Sequence, residues 1–288
     1  MKTLLAVKGL SVALALSLAL TCTQALSEQG SAPAQTAVSA PAPAPVLTPE
    51  ERQVMKLQEA AQKLDVSYLS DAESLLSGMQ STGVVLEALY VIPQLANAGG
   101  DVTTAAQKIS AVLDSGFTDK KVRRSAITAL SYIKCPASFE ALLSACEVEQ
   151  DAAVRTKLFW AMERLTGQKL NATHEAWASW WRDQKALSNA ARAQLTSQHK
   201  DVVLSGLKAV GQTSVLDPET VDIVVELLSD NDPSIRLAAC KTLGNSYLAS
   251  GPQFVALFKE LAEGDASPAV RAAATAALKP SQRPKRPS

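Results

Sequence analysis

The side chains that could support catalysis or bind a metal are few and do not form a known arrangement. The chain has two histidines, His174 and His199. A helical zinc site of the His-Glu-x-x-His type needs a second histidine four positions after His174, where Ala178 stands. The acidic pair Glu147 and Glu149 falls at a predicted helix end, which is typical of a solvated face. Because a Gly-rich phosphate loop and a nucleophile motif are also missing, the sequence predicts a non-enzymatic protein with no metal and no cofactor.

Three of the four tryptophans lie close together and are candidates for ligand stacking. Trp177, Trp180 and Trp181 occur at i, i+3 and i+4, so a helix would place their indoles on one face. They follow the segment Leu-Thr-Gly-Gln at 165–168, which is typical of a helix end. The favoured interpretation is structural, with the indoles packed together in the core, and the alternative is a stacking platform for a glycan or a peptide. Burial of the indoles would favour the first interpretation, and exposure the second.

A five-residue pattern recurs along the chain and predicts the elements that position these side chains. It begins with Asp119, Asp151, Asp232 and, in the last copy, Ser267, and it ends with Arg four positions later. Val or Ile follows the Asp or Ser by three positions, and another apolar residue follows eight positions after that. Since Asp and Ser are good helix N-caps and residues eight apart share one helical face, each copy predicts an amphipathic helix. The four arginines are Arg123, Arg155, Arg236 and Arg271.

The predicted helices are spaced regularly. Their first apolar residues lie at positions 122, 154, 235 and 270, and weaker copies begin at 84 and 202. Neighbouring starts are 32 to 38 residues apart, except that 48 residues separate 154 from 202, which indicates an insertion. Partner helices are predicted before these starts, at 102–113, 138–148, 219–228 and 253–262. Tandem helix pairs with this period predict an α-solenoid.

The run from Asp230 through Ile235 and Arg236 to Ala239 and Leu243 resembles a HEAT repeat of the short bacterial type, also called PBS-lyase HEAT-like. The resemblance covers about residues 65–280 and implies an all-α, right-handed α-solenoid of about six HEAT-like helix pairs. In this family the Asp of the turn and the Arg of the helix usually join neighbouring repeats. The resemblance therefore implies structural roles for Asp119, Arg123, Asp151, Arg155, Asp232, Arg236 and Arg271.

The start of the chain predicts export. Residues 1–25 combine a basic beginning, an apolar stretch from Gly9 to Leu20 and a small-residue cleavage site, as in a secretory signal peptide. The apolar stretch is shorter than the roughly 20 residues that a transmembrane helix needs, so no stable membrane anchor of this kind is predicted. The expected location is the periplasm or the cell envelope. A lipid anchor at Cys22 is the less favoured alternative.

Composition divides the rest of the chain into three segments. A disordered linker rich in Ala and Pro is predicted at 26–48, the solenoid at 49–280 with a Trp-rich insertion at 166–184, and a disordered basic tail at 281–288. Over the whole chain, 28 Lys and Arg balance 28 Asp and Glu. Because nucleic-acid-binding proteins normally have a basic excess, DNA and RNA are not predicted as partners.

The partner-binding surface is predicted on the second helix of each pair, which lines the concave side in the resembled family. Six positions after each start, the copies carry Tyr, Thr, Trp, Lys, Lys and Ala, and neighbouring positions add Arg and Lys. Aromatic side chains with several cations suit an acidic or extended protein partner, although ordinary solvated positions are an equal alternative. The predicted function is an exported scaffold or adaptor, with a lyase-like enzyme and a glycan-binding protein as alternatives. The predicted partner-binding residues are Tyr90, Arg124, Lys157, Trp160, Lys208 and Lys241.

Overall fold

The computed structural model describes residues 47–77, 80–114, 119–213, 215–246 and 251–279. The predicted signal peptide at 1–25, the linker as far as residue 46 and the tail at 281–288 lie outside these ranges. All regular elements inside them are helices. Within the same ranges, no helix combines the length and the apolarity that spanning a membrane requires.

The helices follow one another without a strand in the described part of the chain. Short 3-10 turns at Val66–Tyr68 and Leu227–Ser229 adjoin two of them. In chain order the helices are α1 (Pro49–Lys63), α2 (Leu69–Ser74), α3 (Thr82–Asn97), α4 (Val102–Asp114), α5 (Lys120–Leu130), α6 (Pro136–Val148), α7 (Ala152–Thr166), α8 (His174–Leu195), α9 (Lys200–Val210), α10 (Pro218–Glu226), α11 (Pro233–Gly244), α12 (Pro252–Gly264) and α13 (Pro268–Ala277).

The predicted helix pairs are present. The six second helices are the odd-numbered helices from α3 to α13, and the predicted partner helices correspond to α4, α6, α10 and α12. The second helices form one layer, in which α5 packs against α3 and α7, and α11 against α9 and α13. The first helices pack behind them, for example α4 against α5 and α6 against α7. The all-α solenoid architecture is therefore confirmed.

The predicted apolar positions form the interface between the two layers. In α5, Val122, Ala126 and Leu130 are fully buried. The small side chain of Ala126 in the middle of this stripe allows the partner helix to approach. The same positions are buried in α11, and in α13 Val270 and Ala274 are buried while Leu278 is partly buried. Burial of one apolar face thus joins the repeats in series.

The first turn of α9 departs from the predicted pattern. Val202 was predicted to begin the buried stripe, but 38% of its surface is exposed, whereas Val203 is 3% exposed. Val203 precedes Gly206, Leu207 and Val210 by three, four and seven positions, which is the spacing of one helical face. The prediction for Val202 is therefore wrong, and Val203 takes its place in the core.

Aspartates begin three of the second helices, as predicted. The carboxylates of Asp119 and Asp232 each accept a hydrogen bond from the backbone N–H two residues later, at 2.7 Å, and that of Asp151 does so at 2.9 Å. Each bond satisfies an N–H group that has no partner inside its helix. Ser267 occupies the same position before α13, but its side chain makes no capping hydrogen bond. The capping prediction is correct for the aspartates and wrong for this serine.

The insertion produces the long helix α8, which contributes to two separate hydrophobic cores. Trp177 and Trp181, near its start, belong to the core formed mainly by α1 to α7. Ala191 and Leu195, near its end, belong to the core of α9 to α13. Among the residues that the structure describes, α7 and α9 share no extensive contact, although the other neighbouring second helices do. The layer of second helices is therefore divided here, at what we call the α8 junction.

A glycine allows the close contact between α8 and α9 at this junction. A Cβ atom at Gly206 would lie 2.9 Å from the Cβ of Gln194 and 3.1 Å from the backbone oxygen of Ala191. Ordinary carbon contacts are longer than both distances. Only glycine fits here without moving α8.

Candidate functional site

Exposed aromatic side chains lie on the face of the second helices before the α8 junction. Tyr90 on α3 is 68% exposed, and Trp160 on α7 is 37% exposed. Tyr132, two residues after the end of α5, is 44% exposed. Its backbone oxygen accepts a hydrogen bond of 2.9 Å from the side chain of Asn97, at the end of α3. The sequence pattern missed Tyr132 because it lies in a turn, outside the helical positions that were compared.

Cations are stacked on two of these rings. The Lys157 Nζ atom lies 3.3 Å from the centre of the Trp160 ring. The Arg164 Cζ atom lies 4.2 Å from the centre of the Tyr132 ring and 5.6 Å from that of Trp160. Such contacts attract a cation to the ring and restrict its movement. Together with the neighbouring Arg124, these four residues form what we call the α5–α7 cluster.

The α5–α7 cluster concentrates positive charge. Burial lowers the pKa of Lys157, and repulsion from Arg124 and Arg164 lowers it further. Within the described ranges, no salt bridge joins any of these three cations to a carboxylate. An anion placed among them would therefore gain attraction from three charges and relieve their mutual repulsion.

A shallow pocket adjoins the cluster on the same face. Its volume is about 540 Å³, and it lies between α5 and α7. One of its lysines, Lys120, is already bound to Asp151 at 2.7 Å, and its one carboxylate, that of Asp119, caps α5. The other cations of the wall have no such salt bridge in the described structure. The lining residues are Asp119, Lys120, Lys121, Arg124, Ser125, Thr128 and Lys157.

The two remaining predicted contact residues lie apart from this group. Lys208 is exposed on α9 and Lys241 is exposed on α11. Both helices follow the α8 junction, where the second-helix layer is divided. The structure thus brings Arg124, Lys157 and Trp160 together and leaves Lys208 and Lys241 in a separate group.

The predicted tryptophan stripe of α8 is packed against α6. Trp177 is fully buried and Trp181 is 5% exposed, whereas Trp180 is partly buried. The Phe139 ring centre lies 6.0, 5.5 and 4.5 Å from those of Trp177, Trp180 and Trp181 respectively. The Trp181 Nε1–H donates to Glu140 at 3.2 Å. The geometry favours the structural interpretation, because buried indoles offer no free face to a sugar ring.

The predicted turn arginines join repeats after the junction. Arg236 forms a bidentate pair with Asp265, at 2.8 and 2.9 Å, and also donates to the backbone oxygen of Asp230 at 2.8 Å. Arg271 donates to the backbone oxygen of Asp265 at 2.6 Å, so each of the two arginines contacts the backbone oxygen six residues before it. The pairing with Arg236 and the Ser267 N–H lowers the pKa of Asp265. These contacts tie α11 to the turn that precedes α13.

The arginines before the junction differ from one another. Arg123 lies 3.4 Å from the carboxylate of Glu149, which precedes the next second helix. Arg155 is exposed, and in the described part of the chain it forms no salt bridge with a carboxylate. The repeat that follows Arg155 is the one changed by the insertion. Arg155 therefore has no acidic partner of the kind that the family pattern predicts among the described residues.

Further structural residues were missed although the sequence contains a signal for them. Glu149, Asp230 and Asp265 each stand two positions before an N-cap and accept a hydrogen bond from its N–H, at 2.7 to 2.8 Å. An acidic residue at this position recurs in three copies of the repeat. Lysines at the starts of second helices add a link, since Lys120 binds Asp151 and Lys200 binds Asp232, both at 2.7 Å.

Titratable side chains form no evident catalytic or metal-binding group in the residues that can be described. No three His, Cys, Asp or Glu side chains are grouped so that they could hold a metal ion there. His174 begins α8, and His199 is the N-cap residue of α9. The three cysteines in these ranges, Cys135, Cys146 and Cys240, are free and buried. Burial raises the pKa of Cys240 to about 11, which disfavours its reactive thiolate.

Comparison with known families agrees with the helix pairs. A family model described as HEAT repeats matches residues 188–279, which span the second half of α8 through α13. Residues 188–279 therefore contain HEAT repeats, and the helix pairs before them share the same all-α architecture. A search of curated proteins finds no match to the chain.

Proposed function

We propose that this protein is an exported, non-enzymatic scaffold that binds another protein, with an acidic or extended segment, through the exposed face of its second helices. The observation that carries the proposal is the row of exposed aromatic residues on three successive repeats, Tyr90, Tyr132 and Trp160. Tyrosine and tryptophan are enriched among the residues that contribute most to protein interfaces. HEAT repeats generally mediate protein interactions as scaffolds, which agrees with this assignment.

The proposed location is the periplasm or the cell envelope, and it rests on the signal-like residues 1–25. Attachment through a lipid at Cys22 is the alternative location.

The two alternative functions have less support. A glycan site would need accessible indoles, and Trp177 and Trp181 are buried against Phe139. A lyase-like enzyme would need titratable groups that converge on one pocket. The α5–α7 pocket has a wall of cations suited to attracting an anion, and its one carboxylate among the described residues, that of Asp119, caps α5.

The test is capture of partners by crosslinking in envelope fractions of the source cells. The wild-type protein is compared with a Tyr90→Ala/Trp160→Ala variant, which removes aromatic contact area from the proposed face. Leu187→Ala is the control, because Leu187 is 62% exposed on α8, which is not one of the second helices. We expect the double variant to lose partners that the wild type and the control retain. Identical partners for all three proteins would refute the proposed face.

A further inference from the structure

We propose that the α5–α7 cluster is the subsite that selects the partner, and that it binds the carboxylates of an acidic peptide segment. This inference rests on the proposed function and goes further in naming the residues and the chemistry that they recognise. Arg124, Lys157 and Arg164 supply the charges, and Tyr132 and Trp160 hold two of those charges in place.

The first argument is that the charges are held ready for an anion. Lys157 and Arg164 both lie beside the Trp160 ring, and Arg164 also lies over Tyr132. A flexible cation loses conformational entropy when it binds a ligand. A cation that is already held by a ring has less of that entropy left to lose, so binding costs less free energy. Cations on most protein surfaces are separated or face carboxylates, whereas here burial, and then repulsion from Arg124 and Arg164, lower the pKa of Lys157. A bound carboxylate would reverse that shift.

The second argument concerns the extent of the charged surface. Lys157 and Arg164 are seven residues apart on α7, which corresponds to about 10 Å along a helix. Arg124 extends the surface across to α5, where the pocket of about 540 Å³ opens beside it. A single anionic group would meet only part of such a surface. A peptide with several acidic residues would match it over its length.

The third argument separates this subsite from the other exposed lysines. Lys208 and Lys241 lie on α9 and α11, beyond the point where the second-helix layer is divided. No ring contact of the kind seen at Lys157 is found for either lysine in the described structure. They lack the stacking that organises the α5–α7 cluster, so a short acidic segment is expected to bind at the cluster.

The experiment measures binding of a fluorescein-labelled oligoglutamate peptide by fluorescence anisotropy. An oligoglutamine peptide of equal length and a single-stranded oligonucleotide of equal charge are the comparison probes. The test variant is Arg124→Ala/Lys157→Ala in the full chain. Its matched control is Lys169→Ala/Arg182→Ala, which removes one lysine and one arginine that are exposed outside the cluster. Melting curves establish that both variants remain folded.

We expect the test variant to bind oligoglutamate at least about tenfold more weakly than the wild type, and the control variant to stay within about twofold. Wild-type binding should weaken as salt is raised, and oligoglutamine should not bind. The Arg124→Lys/Lys157→Arg variant keeps both charges and should recover most of the affinity.

Several outcomes would overturn the subsite. The first is that oligoglutamate does not bind, and the second is that the test variant binds it as tightly as the wild type. The third is that the control variant or Lys208→Ala/Lys241→Ala loses as much affinity as the test variant. The fourth is that the oligonucleotide binds as tightly as oligoglutamate. The proposed function fails separately, when the crosslinking experiment finds that the aromatic variant keeps every partner. Partners lost on Tyr90→Ala/Trp160→Ala but retained on Arg124→Ala/Lys157→Ala would leave the face intact and remove only the acidic subsite.

Discussion

Truncation of Trp177 tests whether the tryptophans of α8 are structural. Trp177 is fully buried and its ring lies 6.0 Å from those of both Phe139 and Trp180. A buried tryptophan removes about 200 Å² from water, which at about 25 cal/mol per Å² corresponds to an upper estimate of about 5 kcal/mol. Large-to-small core substitutions of this kind cost about 3–5 kcal/mol. We expect Trp177→Ala to reduce the free energy of unfolding by about that amount.

The side-chain nitrogen of Trp177 sharpens the test. Its Nε1–H is buried and has no hydrogen-bond partner among the residues that the structure describes. Substitution by phenylalanine therefore removes a polar group that gains nothing from burial, while it keeps an aromatic ring in the cluster. Trp177→Phe should cost about 1–2 kcal/mol, clearly less than Trp177→Ala. Trp180 is only partly buried, so Trp180→Ala should cost about 2 kcal/mol.

The assay is urea unfolding followed by far-UV circular dichroism. Tyr90→Ala is the control, because it also removes an aromatic ring but from a side chain that is 68% exposed, and we expect it to change stability by about 0.5 kcal/mol or less. If Trp177→Ala and Tyr90→Ala differ by less than about 1 kcal/mol, the structural role assigned to Trp177 is wrong.

Three more substitutions test the contacts that join the repeats. Gly206→Ala should lower the free energy of unfolding by about 1–3 kcal/mol in urea titrations, because its Cβ would lie 3.1 Å from the backbone oxygen of Ala191. Asp265→Ala should lower the melting temperature by several degrees, and more than Asp232→Ala, because it leaves the half-buried Arg236 without its carboxylate. The Lys200 ammonium, followed by a backbone hydrogen bond, lowers the pKa of Asp232 to about 2, below the unfolded value of about 3.9. The contribution of the Asp232 carboxylate to folding stability is therefore complete above about pH 4 and is lost as the pH falls toward 2. Asp232→Asn should reduce the change in melting temperature over this pH range, as measured by thermal unfolding.

The sequence predicts the second helices well because a solenoid repeats its local contacts. The N-cap, the two apolar positions and, in three copies, the small residue between them depend on neighbours within one helix pair. Val122, Ala126 and Leu130 therefore have counterparts in α11 and α13 at the same spacing. A pattern that is confirmed in several copies predicts the element and its buried face together.

The candidate site was only partly predictable, because it depends on contacts between neighbouring repeats. Arg124, Lys157 and Trp160 occupy helical positions that the repeat pattern compares directly. Arg164 and Tyr132 do not, since one lies near the end of α7 and the other in the turn after α5. Their stacking becomes visible only when the two repeats are packed side by side.

The long interval between the repeats at 154 and 202 predicts an insertion but not its effect on helix packing. The inserted residues lengthen α8, so its first part packs with Phe139 and its last part with α9. Neither the interval nor the stripe of indoles indicates that α7 and α9 share no extensive contact. That outcome depends on the distance between the two ends of α8, because this distance sets how far apart the two cores lie in three dimensions.

The division at α8 also determines which surface can act as one binding site. A ligand that contacts several second helices gains affinity only when those helices keep fixed relative positions, because each adjustment costs free energy. Helices α3, α5 and α7 share one continuous core. The exposed rings of Tyr90 and Trp160 lie on α3 and α7, and that of Tyr132 lies in the turn after α5. The lysines on α9 and α11 belong to the second core. An even row of contact positions along the sequence thus becomes two surfaces in the structure. The surface that combines rings with cations lacking a carboxylate partner in the described residues is the stronger candidate for recognition.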